Sequence, residues 1–266
     1  MVIGPRIKAD WLFIGLFAIA FLSSCGGSGG GGEDDDIPQT SPFEYTANMD
    51  PDIVTAADPT AYLGIVSTGQ ANRTMYDRRV EDWITVNAYL FEATYFEGFV
   101  VEVQVNPEFG SQAAALVEAE KYAEVIGRIP TALRMDVETV WIHKGFEAFG
   151  GGNNNILIHV EAAEHEMARG RLEETMIHEG AHASLDAAHK LAPGWLAAQS
   201  ADGRFISTYA EDNPDTEDIA ESIVAYLAVR YRSDRISEPL EEFIWLFMPN
   251  RIEYFDSLGL AMYPIQ

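Results

Sequence analysis

The chain has 266 residues, a formal net charge of −25 and a single cysteine. An acid excess of this size repels phosphate backbones, which excludes nucleic acid as an expected partner. One cysteine cannot form an intrachain disulfide. The length suffices for one sizeable hydrophobic core after the N-terminal segments described next.

Residues 1–24 are predicted to be a signal peptide. Arg6 and Lys8 precede an apolar run at residues 11–22, which is shorter than the roughly 20 residues that a membrane-spanning helix needs. The run leads into Leu-Ser-Ser-Cys ending at Cys25, which resembles the bacterial lipobox. The resemblance implies cleavage before Cys25, acylation of the new N-terminal residue and anchoring to a membrane of the bacterial cell envelope through the attached lipid.

Residues 25–36 are predicted to be a flexible tether. Glycine and one serine make up residues 26–32, and residues 33–36 are all acidic. Glycine-rich chain is flexible, and a run of like charges stays in solvent. We therefore expect one folded domain, residues 37–266, connected to the membrane by this tether.

The first part of that domain, residues 37–80, is predicted to be an irregular wrap, because prolines recur through residues 38–59. Apolar and aromatic residues then become dense over residues 83–106, and they alternate with polar residues after Glu97-Gly98. This pattern predicts a β-hairpin with one polar face. A helix is predicted for residues 111–126, where a serine begins an alanine-rich run.

The second half predicts short strands followed by helices. Residues 137–143 and 156–160 are predicted strands, separated by a turn rich in glycine and asparagine. The predicted helices follow at residues 169–189, at residues 215–232 and after Pro239. A loop containing Pro193 is expected between the first two. Strands first and helices after predict an α+β fold with a small sheet and a mostly helical C-terminal part.

The strongest chemical signal is His178-Glu179-Gly180-Ala181-His182, an H-E-x-x-H pattern within the predicted helix 169–189. Residues four apart lie on one face of a helix, so His178 and His182 can bind one Zn²⁺. Glu179 would face the open side of the metal and take a proton from the zinc-bound water, whose pKa falls to about 7. The alternative is a chance match between two ordinary histidines.

The third ligand has two sources among H-E-x-x-H enzymes. In one branch a third histidine follows, but Ala188 stands at its position and His189 lies one place late. A continuous helix would place His189 about 10 Å along the axis from His182. In the other branch a glutamate of a later helix completes a His₂Glu site. Glu217 lies far enough downstream for that role, and the neighbouring Asp218 is an alternative ligand.

The segment Glu217-Asp218-Ile219-Ala220-Glu221, with Tyr209 before it, resembles the gluzincin superfamily of zinc metallopeptidases, which includes the catalytic domain of anthrax lethal factor. The resemblance covers residues 141–231 and implies a zincin-like fold. It implies three further roles: Glu217 as the third zinc ligand, Glu221 as hydrogen-bond acceptor for a zinc-bound histidine, and Tyr209 as donor to the developing oxyanion. Tyr226 and Tyr231 are alternatives for the last role.

In zincins an edge strand before the active-site helix pairs with extended substrate. Residues 156–160 are predicted to be that edge strand, with residues 150–155 shaping the rim of the cleft, and a plain core strand is the alternative. His143, His159 and His165 lack the spacing of metal ligands, so structural or exposed roles are expected for them.

The expected function is zinc-dependent hydrolysis of peptide bonds in a peptide or protein substrate. One alternative is a surface-anchored binding or adhesion lipoprotein with a structural or vestigial zinc site. Another is a zinc hydrolase that acts on cell-wall or other amides. Glu179 favours an enzyme, because a structural zinc ion does not require a base beside its first histidine ligand.

Overall fold

The computed structural model describes residues 40–265 of the chain. The predicted signal peptide, the lipidation site at Cys25 and the predicted tether lie outside the described residues. Within residues 40–265, strands form one mixed sheet and helices follow it, so the predicted α+β class is confirmed. No helix in this part of the chain is long and apolar enough to cross a membrane.

The sheet has six strands in the order β1-β2-β3-β4-β6-β5. Neighbouring strands are antiparallel from β1 to β3 and again between β6 and β5, whereas β3, β4 and β6 run parallel. The strands are β1 Tyr62–Asp77, β2 Asp82–Tyr95, β3 Val100–Val105, β4 Thr139–His143, β5 Gly150–Gly152 and β6 Asn155–His159.

Helices pack on this sheet and continue beyond it in the chain. Two helices lie in the crossover that joins the parallel strands β3 and β4, and Ser111 caps the first of them by accepting a hydrogen bond from the Ala114 amide at 3.2 Å. The helices are α1 Gln112–Ile126, α2 Thr131–Arg134, α3 Val160–Ala168, α4 Leu172–Ser184, α5 Asp186–His189, α6 Pro193–Asp202, α7 Thr208–Asp212, α8 Asp218–Tyr231, α9 Glu238–Phe247 and α10 Pro249–Leu258.

Helix α4 lies at the centre of the domain. It packs against β5, β6 and α2 on one side and against α8 on the other. Its apolar residues Leu172, Met176 and Ile177 are fully buried. Gly180 permits close packing, because a Cβ atom there would lie 2.8 Å from the carbonyl oxygen of Leu133 in α2. Close contact on both sides fixes the orientation of α4, and therefore of the two histidines it carries.

The predicted irregular wrap over residues 37–80 is wrong from Tyr62 onward, because Tyr62–Asp77 is a long strand. The prolines that suggested irregular chain all precede it. The strand escapes detection because it lies at the edge of the sheet, where half of its residues are exposed and no apolar face is required. Its pairing with β2 comes from tertiary structure.

The helical prediction also needs three corrections. The predicted helix 169–189 is two helices, α4 and α5, which meet at Leu185. The segment before it, for which the sequence predicts no element, forms α3 directly after β6. The expected loop around Pro193 is the start of α6, because proline is well tolerated in the first turn of a helix.

The predicted edge strand 156–160 is wrong in position. Strand β6 lies inside the sheet, between β4 and β5, and all five of its residues are buried. The glycines expected to form only a turn make up β5, which pairs antiparallel with β6 and occupies the edge. Periodicity could not distinguish these arrangements, because three glycines provide no pattern of side chains.

Residues 43–58, here called the strap, cross the helical side of the domain before β1. At its start, the Phe43 amide donates to the Ile206 carbonyl at 3.3 Å, and the Thr208 amide donates to the Phe43 carbonyl at 3.0 Å. Further along, the amides of Met49 and Ile53 donate to the two carboxylate oxygens of Glu174, each at 2.9 Å. The strap is therefore fixed to the loop before α7 and to α4.

We expect Glu174→Gln to lower the free energy of unfolding by about 1–3 kcal/mol, because the amide group of glutamine leaves one buried strap N–H without an acceptor. Burial raises the pKa of Glu174 to about 7, although its two backbone hydrogen bonds lower it. Denaturant unfolding should therefore be measured at pH 8.5, where the carboxylate is ionised. Glu164→Gln, at an exposed position of α3, should change stability by less than about 0.5 kcal/mol. Equal effects of the two variants would contradict this role of Glu174.

Candidate metal centre

Two helices bring three potential metal ligands together. His178 and His182 are one turn apart on α4, and Glu217 immediately precedes the first residue of α8. Because α4 packs directly on α8, the Glu217 side chain reaches both imidazoles. Among the described residues, these three form the one group of acidic, histidine or cysteine side chains with converging ligand atoms.

The spacing of the ligand atoms matches a tetrahedral zinc site. The Nε2 atoms of His178 and His182 are 3.1 Å apart. Glu217 Oε2 lies 3.1 Å from His182 Nε2 and 3.4 Å from His178 Nε2. Zinc–ligand bonds of about 2.0–2.1 Å at tetrahedral angles place neighbouring ligand atoms about 3.3 Å apart. The three atoms therefore fit one face of a zinc tetrahedron, which leaves a fourth position for water or substrate.

Carboxylates hold the far side of both imidazoles. His178 Nδ1 lies 3.2 Å from Glu221 Oε1, and His182 Nδ1 lies 3.1 Å from Asp186 Oδ2. In metal sites such partners fix the tautomer and ring orientation of the histidine and increase its basicity. With Nδ1–H donated to a carboxylate, each Nε2 lone pair is free for a metal ion.

The site concentrates negative charge. Burial lowers the pKa of His182, but its hydrogen bonds to Asp186 and Glu217 outweigh that effect and raise the pKa to about 9. Burial raises the pKa of Glu217, but its bonds to His178 and His182 together have a larger, opposite effect. The pKa of Glu217 therefore lies well below its usual range. Positive charge is therefore favoured here, and a divalent cation can supply it in place of protons.

Glu179, which follows the first histidine, provides an unpaired carboxylate oxygen. The side chain is buried, and its Oε2 atom has no hydrogen-bond partner in the described structure. Burial raises the pKa of Glu179 above its usual value, and the nearby His178 and His182 offset only part of this rise. A buried acceptor without a partner is unfavourable unless a ligand pairs with it, so Oε2 is suited to bind and move a proton.

Tyr209 lies at the same site. It belongs to the short helix α7, is half-buried, and its hydroxyl group lies near enough to Glu217, Glu179 and Glu221 for their charges to act on it. Burial and the surrounding carboxylates raise its pKa, so the phenol stays protonated and remains a donor. The alternative Tyr226 donates to Asp256 instead, at 3.2 Å. The structure thus places Tyr209, rather than Tyr226, beside the predicted ligands.

The two alternative third ligands are held elsewhere. Asp218 accepts a hydrogen bond from Arg251 Nε at 2.9 Å, and both side chains are fully buried. His189 Nδ1 lies 2.8 Å from the Tyr254 hydroxyl group. Glu217 is therefore the residue that lies beside the histidines, whereas Asp218 is paired with Arg251.

The other histidines also occupy distinct places. His143 and His159 are fully buried and stack on each other with ring centroids 5.3 Å apart, and burial lowers the pKa of both. His165 is largely exposed. None of the three belongs to the metal centre, as the sequence predicts. Asp186, which lies 3.1 Å from His182 Nδ1, is one turn after that histidine, and this i, i+4 spacing is the signal in the sequence that could have indicated its role.

Strand β5 lies directly against the start of the H-E-x-x-H segment. A Cβ atom on Gly151 would be 2.1 Å from the carbonyl oxygen of Glu179, so only glycine allows this approach. The Arg78 guanidinium donates to the Phe149 carbonyl at 2.9 Å, just before the strand. These contacts hold the outer edge of the sheet beside Glu179.

We expect Gly151→Ala to lower the free energy of unfolding by about 1–3 kcal/mol, because the added methyl group must push β5 away from α4. Gly150→Ala is the matched control, since its Cβ atom would meet the flexible end of Arg78 at 3.2 Å. Denaturant unfolding of both variants should show a clearly smaller loss for Gly150→Ala. Equal losses would contradict a specific contact between Gly151 and Glu179.

Comparison with known proteins gives no match, since no family model, no curated protein and no solved structure is significantly similar to this chain. The function proposed below therefore rests on the geometry of the site.

Proposed function

We propose that this protein is a zinc-dependent metallopeptidase. His178, His182 and Glu217 would hold the metal, as the resemblance to the gluzincin superfamily implies. That resemblance stays a prediction, and so does a zincin-like fold. The observation that carries the proposal is the spacing of three ligand atoms at 3.1–3.4 Å beside the unpaired carboxylate oxygen of Glu179.

A bound zinc ion would lower the pKa of a water molecule to about 7 and polarise the carbonyl group of the substrate. Glu179 Oε2 would accept the proton that this water loses as it attacks the peptide carbonyl carbon. The same oxygen would then deliver the proton to the nitrogen of the leaving amine. One carboxyl group thus acts first as general base and then as general acid, with no net gain or loss of protons.

The remaining residues would orient these groups. Glu221 and Asp186 hold the two imidazoles through their Nδ1 atoms and keep both Nε2 atoms directed at one point. The Tyr209 hydroxyl group would donate to the carbonyl oxygen as negative charge develops on it.

The position of β5 at the edge of the sheet favours a peptide as the substrate. An extended peptide could add to this edge by backbone hydrogen bonds, since only β6 pairs with β5 within the described sheet. Glycines on the protein side give no side chains that would select those of the peptide, so the strand favours backbone recognition. The packing of Gly151 on Glu179 would bring a peptide bond paired there close to the proposed base.

The proposal includes a location. The lipobox-like sequence that ends at Cys25 supports a lipid-anchored protein of the bacterial cell envelope, where it would meet peptide or protein substrates. The alternative of a binding or adhesion lipoprotein with a structural zinc ion is less favoured, because such a site has no need for a buried, unpaired Glu179 carboxylate.

We expect the purified protein to contain about one zinc ion per chain after dialysis, as catalytic sites with three protein ligands do. His182→Ala and Glu217→Ala should lose the metal, because each removes one of three ligands. His189→Ala and Glu211→Ala are matched controls away from the site, and they should keep it. Elemental analysis measures the content, and a wild-type protein without bound zinc after reconstitution would refute the proposal.

We expect Glu179→Gln to lower kcat for peptide hydrolysis by about 10²–10⁴-fold, the usual contribution of a general base. Zinc content should stay unchanged, since Glu179 is not among the converging ligands. Hydrolysis should be assayed with a library of internally quenched fluorescent peptides. The Glu164→Gln variant of the protein is the control. Zinc binding without hydrolysis of any peptide by the wild type would favour the binding-protein alternative or hydrolysis of other amides.

A further inference from the structure

We propose that Thr46, in the strap, is a positioning residue of the zinc site. Its hydroxyl group and the neighbouring Ala47 amide would fix the Glu221 carboxylate, which in turn orients His178. This inference rests on the proposed zinc function and adds to it a segment that lies far from the H-E-x-x-H sequence in the chain.

Glu221 is fully buried, and the strap supplies a donor to each of its carboxylate oxygens. Thr46 Oγ1 donates to Oε1 at 2.5 Å, and the Ala47 amide donates to Oε2 at 2.5 Å. Oε1 is also the atom that lies 3.2 Å from His178 Nδ1. The rotation of the carboxylate, and with it the direction of the imidazole ring, is thus determined by two donors from the strap.

The strap backbone is itself fixed beside these donors. The Tyr45 amide donates to Thr208 Oγ1 at 2.8 Å, and the Tyr209 amide donates to the Tyr45 carbonyl at 3.1 Å. Tyr45 has a φ of +71°, a left-handed conformation that is rare for a large side chain. Such a conformation persists only where surrounding contacts impose it. The same few residues therefore position Thr46 and the helix that carries Tyr209.

A purely structural role for Thr46 is the competing explanation, and the strap contains a control for it. Thr55 also donates its hydroxyl group to a carboxylate, Asp58 Oδ2, at 3.0 Å. That carboxylate pairs with Arg235 rather than with a metal-site histidine. Removing either hydroxyl group weakens the strap, but only Thr46 connects to His178.

The test is the zinc affinity of the full chain, measured with the metal alone by competition with a chromophoric chelator. We expect Thr46→Val to weaken zinc binding about tenfold, the lower end of the range for residues that support metal ligands. Thr46→Ser, which restores the hydroxyl group, should bind zinc like the wild type. Thr55→Val should also bind zinc like the wild type. Denaturant unfolding of the metal-free protein should nevertheless show that this variant has lost stability. Thr46→Ala provides the same test if Thr46→Val does not fold.

The outcomes separate this inference from the proposed function. Wild-type affinity in folded Thr46→Val, or in folded Thr46→Ala, would overturn the role of Thr46 and leave the zinc site intact. Equal weakening in Thr46→Val and Thr55→Val would also overturn it, because the strap would then act only through overall stability. A wild-type protein that binds no zinc would overturn the proposed function, and the positioning role with it.

Discussion

Buried negative charge is the constraint on which the functional part of this fold depends. Glu179, Glu217 and Glu221 are each at most 7 % exposed, and they surround the same pair of imidazoles. Isolated carboxylates are costly to bury, so they require positive charge, either from protonated histidines or from a bound cation. Because the Glu217 carboxylate lies within 3.4 Å of the Nε2 atoms of both His178 and His182, the electrostatics of the site and the geometry of the candidate metal site are one feature.

Close packing of α4 fixes the positions of these charged side chains. Glycines in α4 and β5 let the helix approach both α2 and the edge of the sheet, so the helix has little freedom to rotate. On the opposite side α8 presents Glu217 and Glu221 one turn apart, the first toward both Nε2 atoms and the second toward His178 Nδ1. The ion pair between Asp218 and Arg251 holds the start of α8 in this rotation. A buried ion pair of this kind contributes orientation more than net stability.

The site is assembled from distant parts of the chain. Glu221 and its donor Thr46 are 175 residues apart, and Glu174 joins α4 to the strap over a separation of 125 residues from Met49. The strap therefore contributes both to the domain core and to the surroundings of the candidate metal site. A segment that looks irregular in sequence can be as important to a candidate metal centre as the helix that provides the ligands, because the hydrogen bonds that orient a ligand need correctly placed donors and not a regular element.

The sequence alone determined the features that depend on local geometry. The i, i+4 spacing of His178 and His182 brings two imidazoles together in any helix, and serine capping with alanine-rich periodicity defined α1. The features that depend on contacts between distant parts of the chain were decided by the tertiary structure. Glu217 was distinguished from Asp218 because Arg251 pairs with the latter, and Gly150–Gly152 became the edge strand because glycine permits close approach to α4. Neither contact leaves a periodic signal in the sequence, since each depends on a partner distant in the chain.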